Sequence, residues 1–125
     1  MEFKVLSVGD VVGNPGMERV KRTLRWLKKQ TCADFVVVNG ENASVVGITP
    51  NQAEDIFDAG ADVITMGNHT FGKREIADYM DENPRILRPA NYAPQAPGRG
   101  YGIYETKAGP VAVIIAERVR KKKAA

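Results

Sequence analysis

Hydrophobic positions along the chain fall into short unbroken runs that alternate with stripes at helical spacing. Phe3 to Val8, Phe35 to Val38 and Asp62 to Met66 have strand length. Between the first two runs, Met17, Val20, Leu24 and Leu27 recur every three or four residues, and Trp26 lies beside that stripe as an expected packing residue. Asn14 and Pro15 are suited to the N-cap and first turn of this helix. A second helix opens at Thr49-Pro50-Asn51-Gln52. There Thr49 fits the N-cap and Gln52 the reciprocal partner of a capping box; Ala53, Ile56 and Phe57 form the inner face and Gly60 the stop. A third helix is expected from about Lys73 to Asp81, with Ile76, Tyr79 and Met80 inward. The resulting βαβαβα succession predicts an α/β fold with a parallel sheet and right-handed crossovers.

The pattern changes after Asn83. Residues 83–100 hold four prolines and two glycines and read as loop, with a short strand at Ile86-Leu87. Tyr101 to Thr106 and Val111 to Ala116, joined by Lys107-Ala108-Gly109-Pro110, predict a β-hairpin. No internal repeat interrupts this plan.

Composition narrows the class. A chain of 125 residues with 43% hydrophobic and 26% charged side chains supports one domain with a modest core. No apolar stretch approaches the about 20 residues needed to cross a bilayer, and the first residues lack the features of a secretory signal. With Cys32 as the single cysteine, a cytoplasmic setting is expected and the thiol is read as passive. The net charge of +3 comes from Arg118 to Lys123. Without that segment 13 basic side chains face 15 acidic ones, so the body is mildly acidic. The terminal run is read as a disordered basic tail over residues 117–125, and residues 1–116 as the folded part. Six basic residues on the first helix are read as a solvated face.

Each predicted strand is followed by a polar signature: Gly9-Asp10-Val11-Val12-Gly13, Gly40-Glu41-Asn42-Ala43 and Gly67-Asn68-His69-Thr70. In a parallel sheet the residues beyond the carboxyl ends of the strands share one rim, where ligands bind. Asp10 and Glu41 offer hard oxygen donors for Mg²⁺, Mn²⁺ or iron, and Asn42 and Asn68 offer amide oxygens. His69, the only histidine, is either a metal ligand or a general acid. Asp10, Asn42 and Asn68 have plainer alternatives in capping or turn-forming hydrogen bonds and His69 in a structural role, whereas capping offers Glu41 no obvious role. Gly9 to Gly16 could instead cradle a phosphate, but it lacks the G-x-G-x-x-G spacing and no P-loop Lys-Ser/Thr follows.

Taken together, Gly-Asp, Gly-Glu-Asn and Gly-Asn-His resemble the signatures of the calcineurin-like metallophosphoesterases. Gly9-Asp10-Val11-Val12-Gly13, Asn39-Gly40-Glu41-Asn42-Ala43 and Gly67-Asn68-His69-Thr70 are similar to those of its bacterial YmdB-like branch. Lys73-Arg74-Glu75-Ile76, Arg88-Pro89-Ala90-Asn91-Tyr92 and Pro97-Gly98-Arg99-Gly100-Tyr101 strengthen the likeness, which spans about residues 3–114. It implies a layered metallophosphoesterase-type sheet, two metal ions (iron or manganese) and hydrolysis of phosphodiesters. A 2′,3′-cyclic nucleotide or an RNA-end phosphodiester is the implied substrate. By motif, Asp10 would bind the first metal, Glu41 both, Asn42 the first and Asn68 the second, while His69 would act catalytically on the leaving oxygen.

Two departures accompany the likeness. Ser44-Val45-Val46-Gly47 looks shorter and less glycine-rich than the family's loop. The family's second half, with further histidines, has no counterpart here, so a truncated domain with partial metal occupancy is expected. The alternative to an enzyme is a non-catalytic half-domain acting through metal or protein association, with homo-oligomers forming through an exposed sheet edge.

Overall fold

The computed structural model describes residues 2–118. Residues 119–125, most of the expected basic tail, lie outside the described residues. The elements follow the order β1 (Val5–Val8), α1 (Gly13–Thr31), β2 (Phe35–Asn39), α2 (Pro50–Ala59), β3 (Val63–Thr65), α3 (Ile76–Glu82), β4 (Ile86–Leu87), β5 (Tyr101–Thr106) and β6 (Gly109–Ile114). The first four strands form a parallel sheet in chain order, and β5 and β6 form a separate antiparallel pair. Register is set by Val5 opposite Phe35, Val37 opposite Val63 and Ile64 opposite Ile86.

Side-chain alternation along the strands divides the core in two. Val36, Val38, Ile64, Met66 and Ile86 face the helices, where they meet Met17, Val20, Leu24, Ala53, Ile56, Ile76 and Met80. Phe35, Val63 and Leu87 face the other way, toward Tyr104, Val111 and Val113 of the hairpin and toward Phe3. A sheet covered on both sides explains why β2 and β3 read as unbroken apolar runs. Among the described residues β1 has one neighbour and a half-open strand face, with Val5 52% exposed.

The hairpin is attached by the chain leading into and out of it. Arg88 is buried and its guanidinium donates to the carbonyls of Pro97 and Pro89. Its backbone N–H donates to the Arg99 carbonyl, and the Ala90 N–H to that of Ile115. Asn91 exchanges two 2.8 Å hydrogen bonds with the Glu117 backbone. At the opposite end Lys107 in the hairpin turn pairs with Asp34 at 2.9 Å. No helix among the described residues is long and apolar enough to cross a membrane.

The capping box of α2 is present as expected, with Gln52 N–H donating to the Thr49 hydroxyl and Thr49 N–H to the Gln52 side chain. Other boundaries differ from expectation. α1 starts at Gly13, so Asn14 and Pro15 fall inside its first turn and Val12 occupies the cap position without a side-chain bond. The reason is tertiary: Gly13 N–H donates to the Asn42 carbonyl and Val11 N–H to that of Asn39, fixing the turn earlier. α3 begins three residues later than expected because the preceding segment is held against a neighbouring loop. A side chain on Gly72 would come within 2.9 Å of the Val46 backbone, and one on Gly47 within 2.8 Å of the Lys73 nitrogen. The hairpin turn narrows to Lys107-Ala108, placing Gly109 and Pro110 in β6. Trp26, expected to pack, is 60% exposed.

Two outcomes follow for stability. Thr49→Ala removes the acceptor for the Gln52 N–H and costs about 1 kcal/mol, measurable as a lower urea midpoint. Asp34 is held below its ordinary pKa of 3.8, first by the Lys4 backbone N–H and then by Lys107. A carboxyl whose pKa is lower when folded stabilises the fold above its unfolded value, and that contribution is lost as pH falls through the folded value. The urea midpoint of Asp34→Asn is therefore below that of the parent at pH 7, and the gap closes below about pH 4.

Candidate active site at the strand rim

The first three parallel strands end at one level, and the loops after them converge. Gly40 N–H donates to the Thr65 carbonyl, joining the loop after β2 to the end of β3. Gly40 itself is required by space, since a side chain there would lie 3.0 Å from Ile64 and 3.1 Å from Ile48. Within the same loop Val45 takes a left-handed φ of 69°, and Gly47 N–H closes the turn onto the Glu41 carbonyl at 2.6 Å.

Four of the five proposed site residues are linked directly. The Asn42 amide nitrogen donates to both oxygens of Asp10, at 3.0 and 2.9 Å. Its amide oxygen is 2.6 Å from Nδ1 of His69. In that arrangement Nδ1 carries the proton that the amide accepts, which leaves Nε2 of a neutral ring free to accept. Glu41 approaches from the other side, its carboxylate accepting the His69 backbone N–H at 3.2 Å. Asn39 steadies Glu41 by accepting its backbone N–H at 3.2 Å.

Asn68 is placed differently. It is exposed and its side chain makes no hydrogen bond among the described residues. It shares an open cleft of about 350 Å³ with Asn39, Glu41, Gly67, Glu117 and Arg118. Among the described residues no three His, Cys, Asp or Glu side chains gather closely enough to hold a metal ion, so amide oxygens must complete any donor set.

Sequence reasoning misses three contributors. Asn39 reads as the approach to a motif, yet it orients Glu41. Tyr92 donates to the Gly67 carbonyl at 3.0 Å, packs against Phe71 and supports the loop carrying Asn68 and His69. Its hydroxyl pKa is raised, mainly by burial, so it stays protonated as that donor at neutral pH. Arg118 reaches the cleft from a segment that reads as tail. Asn39 and Tyr92 both lie within motif stretches, but their partners are set by the fold.

Comparison with known proteins bears on this arrangement. Residues 6–123 match the family described as YmdB-like protein, so the match extends beyond Ile114, the expected end of the likeness. A Bacillus subtilis (strain 168) protein named 2′,3′-cyclic-nucleotide 2′-phosphodiesterase is 41% identical over 113 residues, covering 90% of this chain and 43% of that protein. A crystal structure described as a novel phosphatase from Mycoplasma pneumoniae superposes with a TM-score of 0.80 at 31% identity, covering 90% of this chain and 42% of that one. The crystal structure of a hypothetical protein from Thermus thermophilus also superposes at 0.80, with 30% identity and coverage of 88% and 43%. The chain thus spans less than half the length of these relatives. Motifs, strand order and the matched extent agree, and the chain belongs to the YmdB-like family.

Proposed function

We propose that this chain contributes Asp10, Glu41, Asn42, Asn68 and His69 to a metal-dependent phosphodiesterase site whose substrate is a 2′,3′-cyclic nucleotide. The observation that carries the reading is the connected set Asp10–Asn42–His69, with Glu41 on the His69 backbone, at the rim of three parallel strands. Residues 1–116 are assigned to the N-terminal part of the metallophosphoesterase domain and residues 117–125 to a basic extension. A cytoplasmic setting accords with the single cysteine. Self-association through the open edge of β1 accords with its one-sided pairing.

The residues suit hard cations in an open site. Asp10 is exposed, Asn68 is unengaged among the described residues, and Glu41 is seated in a space that exists only because residue 67 has no side chain. A Cβ at Gly67 would lie 2.6 Å from both Glu41 oxygens. Asp10 and Asn42 would hold one ion, Asn68 a second, and Glu41 both; the oxygen donors suit hard cations, and the family resemblance implies iron or manganese. When bound, the metals would lower the pKa of water and offset phosphate charge. The chain's own part is to fix these donors and to hold a proton near the leaving oxygen. His69 is positioned for that role because the Asn42 oxygen holds its Nδ1–H and its ring orientation, leaving Nε2 as the atom that takes up a proton and delivers it to the leaving oxygen.

A second reading rests on the lack, among the described residues, of any cluster of three His, Cys, Asp or Glu side chains that could hold a metal ion. It makes the chain a non-catalytic module that binds metal or another protein. Manganese titration of the purified chain, followed by assay with a 2′,3′-cyclic nucleotide, separates the two. Under the phosphodiesterase reading, Mn²⁺ supports hydrolysis, Asp10→Asn weakens Mn²⁺ binding, and His69→Ala lowers the rate by about 10²- to 10⁴-fold with metal affinity retained. Metal binding without turnover favours the non-catalytic module, and Mn²⁺ affinity indifferent to Asp10→Asn overturns the site itself. Gly67→Ala drives Glu41 from its seat and weakens Mn²⁺ binding about 10- to 100-fold, as loss of an outer support does, while the circular dichroism spectrum is retained.

A further inference from the structure

We propose that the outer face of α1 is a binding surface for single-stranded RNA, along which a strand runs when its 3′ end occupies the rim. This rests on the phosphodiesterase reading and extends it from a free cyclic nucleotide to the end of an RNA chain. A 2′,3′-cyclic phosphate requires a 2′-hydroxyl, so RNA is the polynucleotide that can carry one.

Charge separation in the molecule is the first argument. α1 carries six basic residues and one acidic residue, whereas the rest of residues 1–117 carries seven basic and 14 acidic ones. The basic residues of α1 also divide into two groups. Lys21 pairs with Glu18 and Asp55, Lys28 with Asp62, and Arg25 donates to the Asp58 carbonyl. These join α1 to α2 and to the start of β3. Arg19, Arg22 and Lys29 make no ion pair or side-chain hydrogen bond among the described residues and are exposed.

Geometry is the second argument. Arg19, Arg22, Trp26 and Lys29 are spaced by three, four and three residues, which places them on one stripe of the helix. This stripe is opposite Met17, Val20 and Leu24, which are buried against the sheet. Trp26 stands in the middle of it, 60% exposed, the only tryptophan in the chain. A large aromatic ring left in water between cations is the arrangement that binds a single strand, with bases stacking on the ring and phosphates meeting the charges. At about 1.5 Å of rise per residue the stripe is about 15 Å long. Stacked nucleotides at about 3.4 Å each would place about four along it. α1 begins three residues after Asp10, so the stripe leads away from the proposed reaction rim. Glu18 is the one acidic residue on the helix, and its charge is met by Lys21.

Trp26 supplies its own readout. In metal-free buffer, an oligouridylate of eight nucleotides with an ordinary 3′-phosphate is expected to quench the tryptophan fluorescence. Three phosphate contacts give a slope of about −2 in log K against log salt, and Arg22→Ala reduces its magnitude by about 0.7. By anisotropy of a labelled strand, Trp26→Ala lowers affinity about tenfold and Trp26→Phe retains most of it. These side chains are exposed, and circular dichroism checks that each variant is folded. The proposal is overturned if the oligonucleotide does not quench, or if polyphosphate binds equally well and Trp26→Ala has no effect, which would mark a surface for acidic proteins or anionic membranes. It is also overturned if binding survives Arg22→Ala and Trp26→Ala but disappears when Lys121, Lys122 and Lys123 are replaced by alanine. The assay needs neither metal nor turnover: retained binding without hydrolysis counts against the phosphodiesterase reading alone, and hydrolysis without binding counts against this surface alone.

Discussion

The seating of Glu41 against Gly67 is the contact on which the rim depends. It brings a carboxylate onto bare backbone at the point where β3 gives way to its loop. The same carboxylate accepts the His69 N–H, so one side chain from the end of β2 sets the position of the imidazole. A buried or half-buried carboxylate is costly unless its oxygens find donors, and here Asn39 and the His69 backbone provide them. Asn42, the next residue, then reaches across to both Asp10 and the ring of His69. Three strand ends are joined through two consecutive residues of one loop.

The supporting layers explain why that loop can be held so closely. Helices cover one face of the sheet and the hairpin covers the other, and β2 and β3 are apolar up to Asn39 and Thr65 at their ends. The polar residues are consequently confined to the strand ends. At the opposite rim, Asp62 receives the Val36 N–H at 2.8 Å, and Arg85 donates to the carbonyls of Asp62 and Ala61 while lying 4.3 Å from the Phe57 ring centre. Those groups satisfy one another, and their role is to close the end of the sheet. The other rim leaves the Asn68 amide unengaged among the described residues and Asp10 exposed, which is the chemical difference between the two ends.

Much of this is legible in the residues. Unbroken apolar runs locate β2 and β3, and Thr49-Pro50-Asn51-Gln52 locates the start of α2, because local chemistry decides both. The grouping of Asp10, Glu41, Asn42 and His69 follows from parallel topology alone. Features fixed by distant partners are not legible in this way. The start of α1 depends on Asn39 and Asn42 carbonyls, and the delayed α3 on contact between the Gly47 and Gly72 loops. Trp26 lies opposite Met17, Val20 and Leu24 on α1, so its exposure follows from helical spacing, and only its large aromatic ring suggests packing. Val45 at positive φ is invisible locally, since a β-branched residue is disfavoured there and backbone bonds from Val45 to Asn42, Ser44 to Gly47 and Gly47 to Glu41 hold it.

Strand order in the parallel sheet equals chain order, and this has a consequence for how the protein is made. Each strand pairs with the one synthesised just before it, so no strand must wait for a later one to be inserted between neighbours. Contacts of this kind close moderate loops in succession, and folding can advance from the N-terminus while the chain is still emerging from the ribosome. Asp10 would then be in place first, Glu41 and Asn42 next, and His69 would arrive onto a carboxylate already waiting for its N–H. The hairpin follows these strands in the chain and covers the second face, so the rim can assemble before that face is covered.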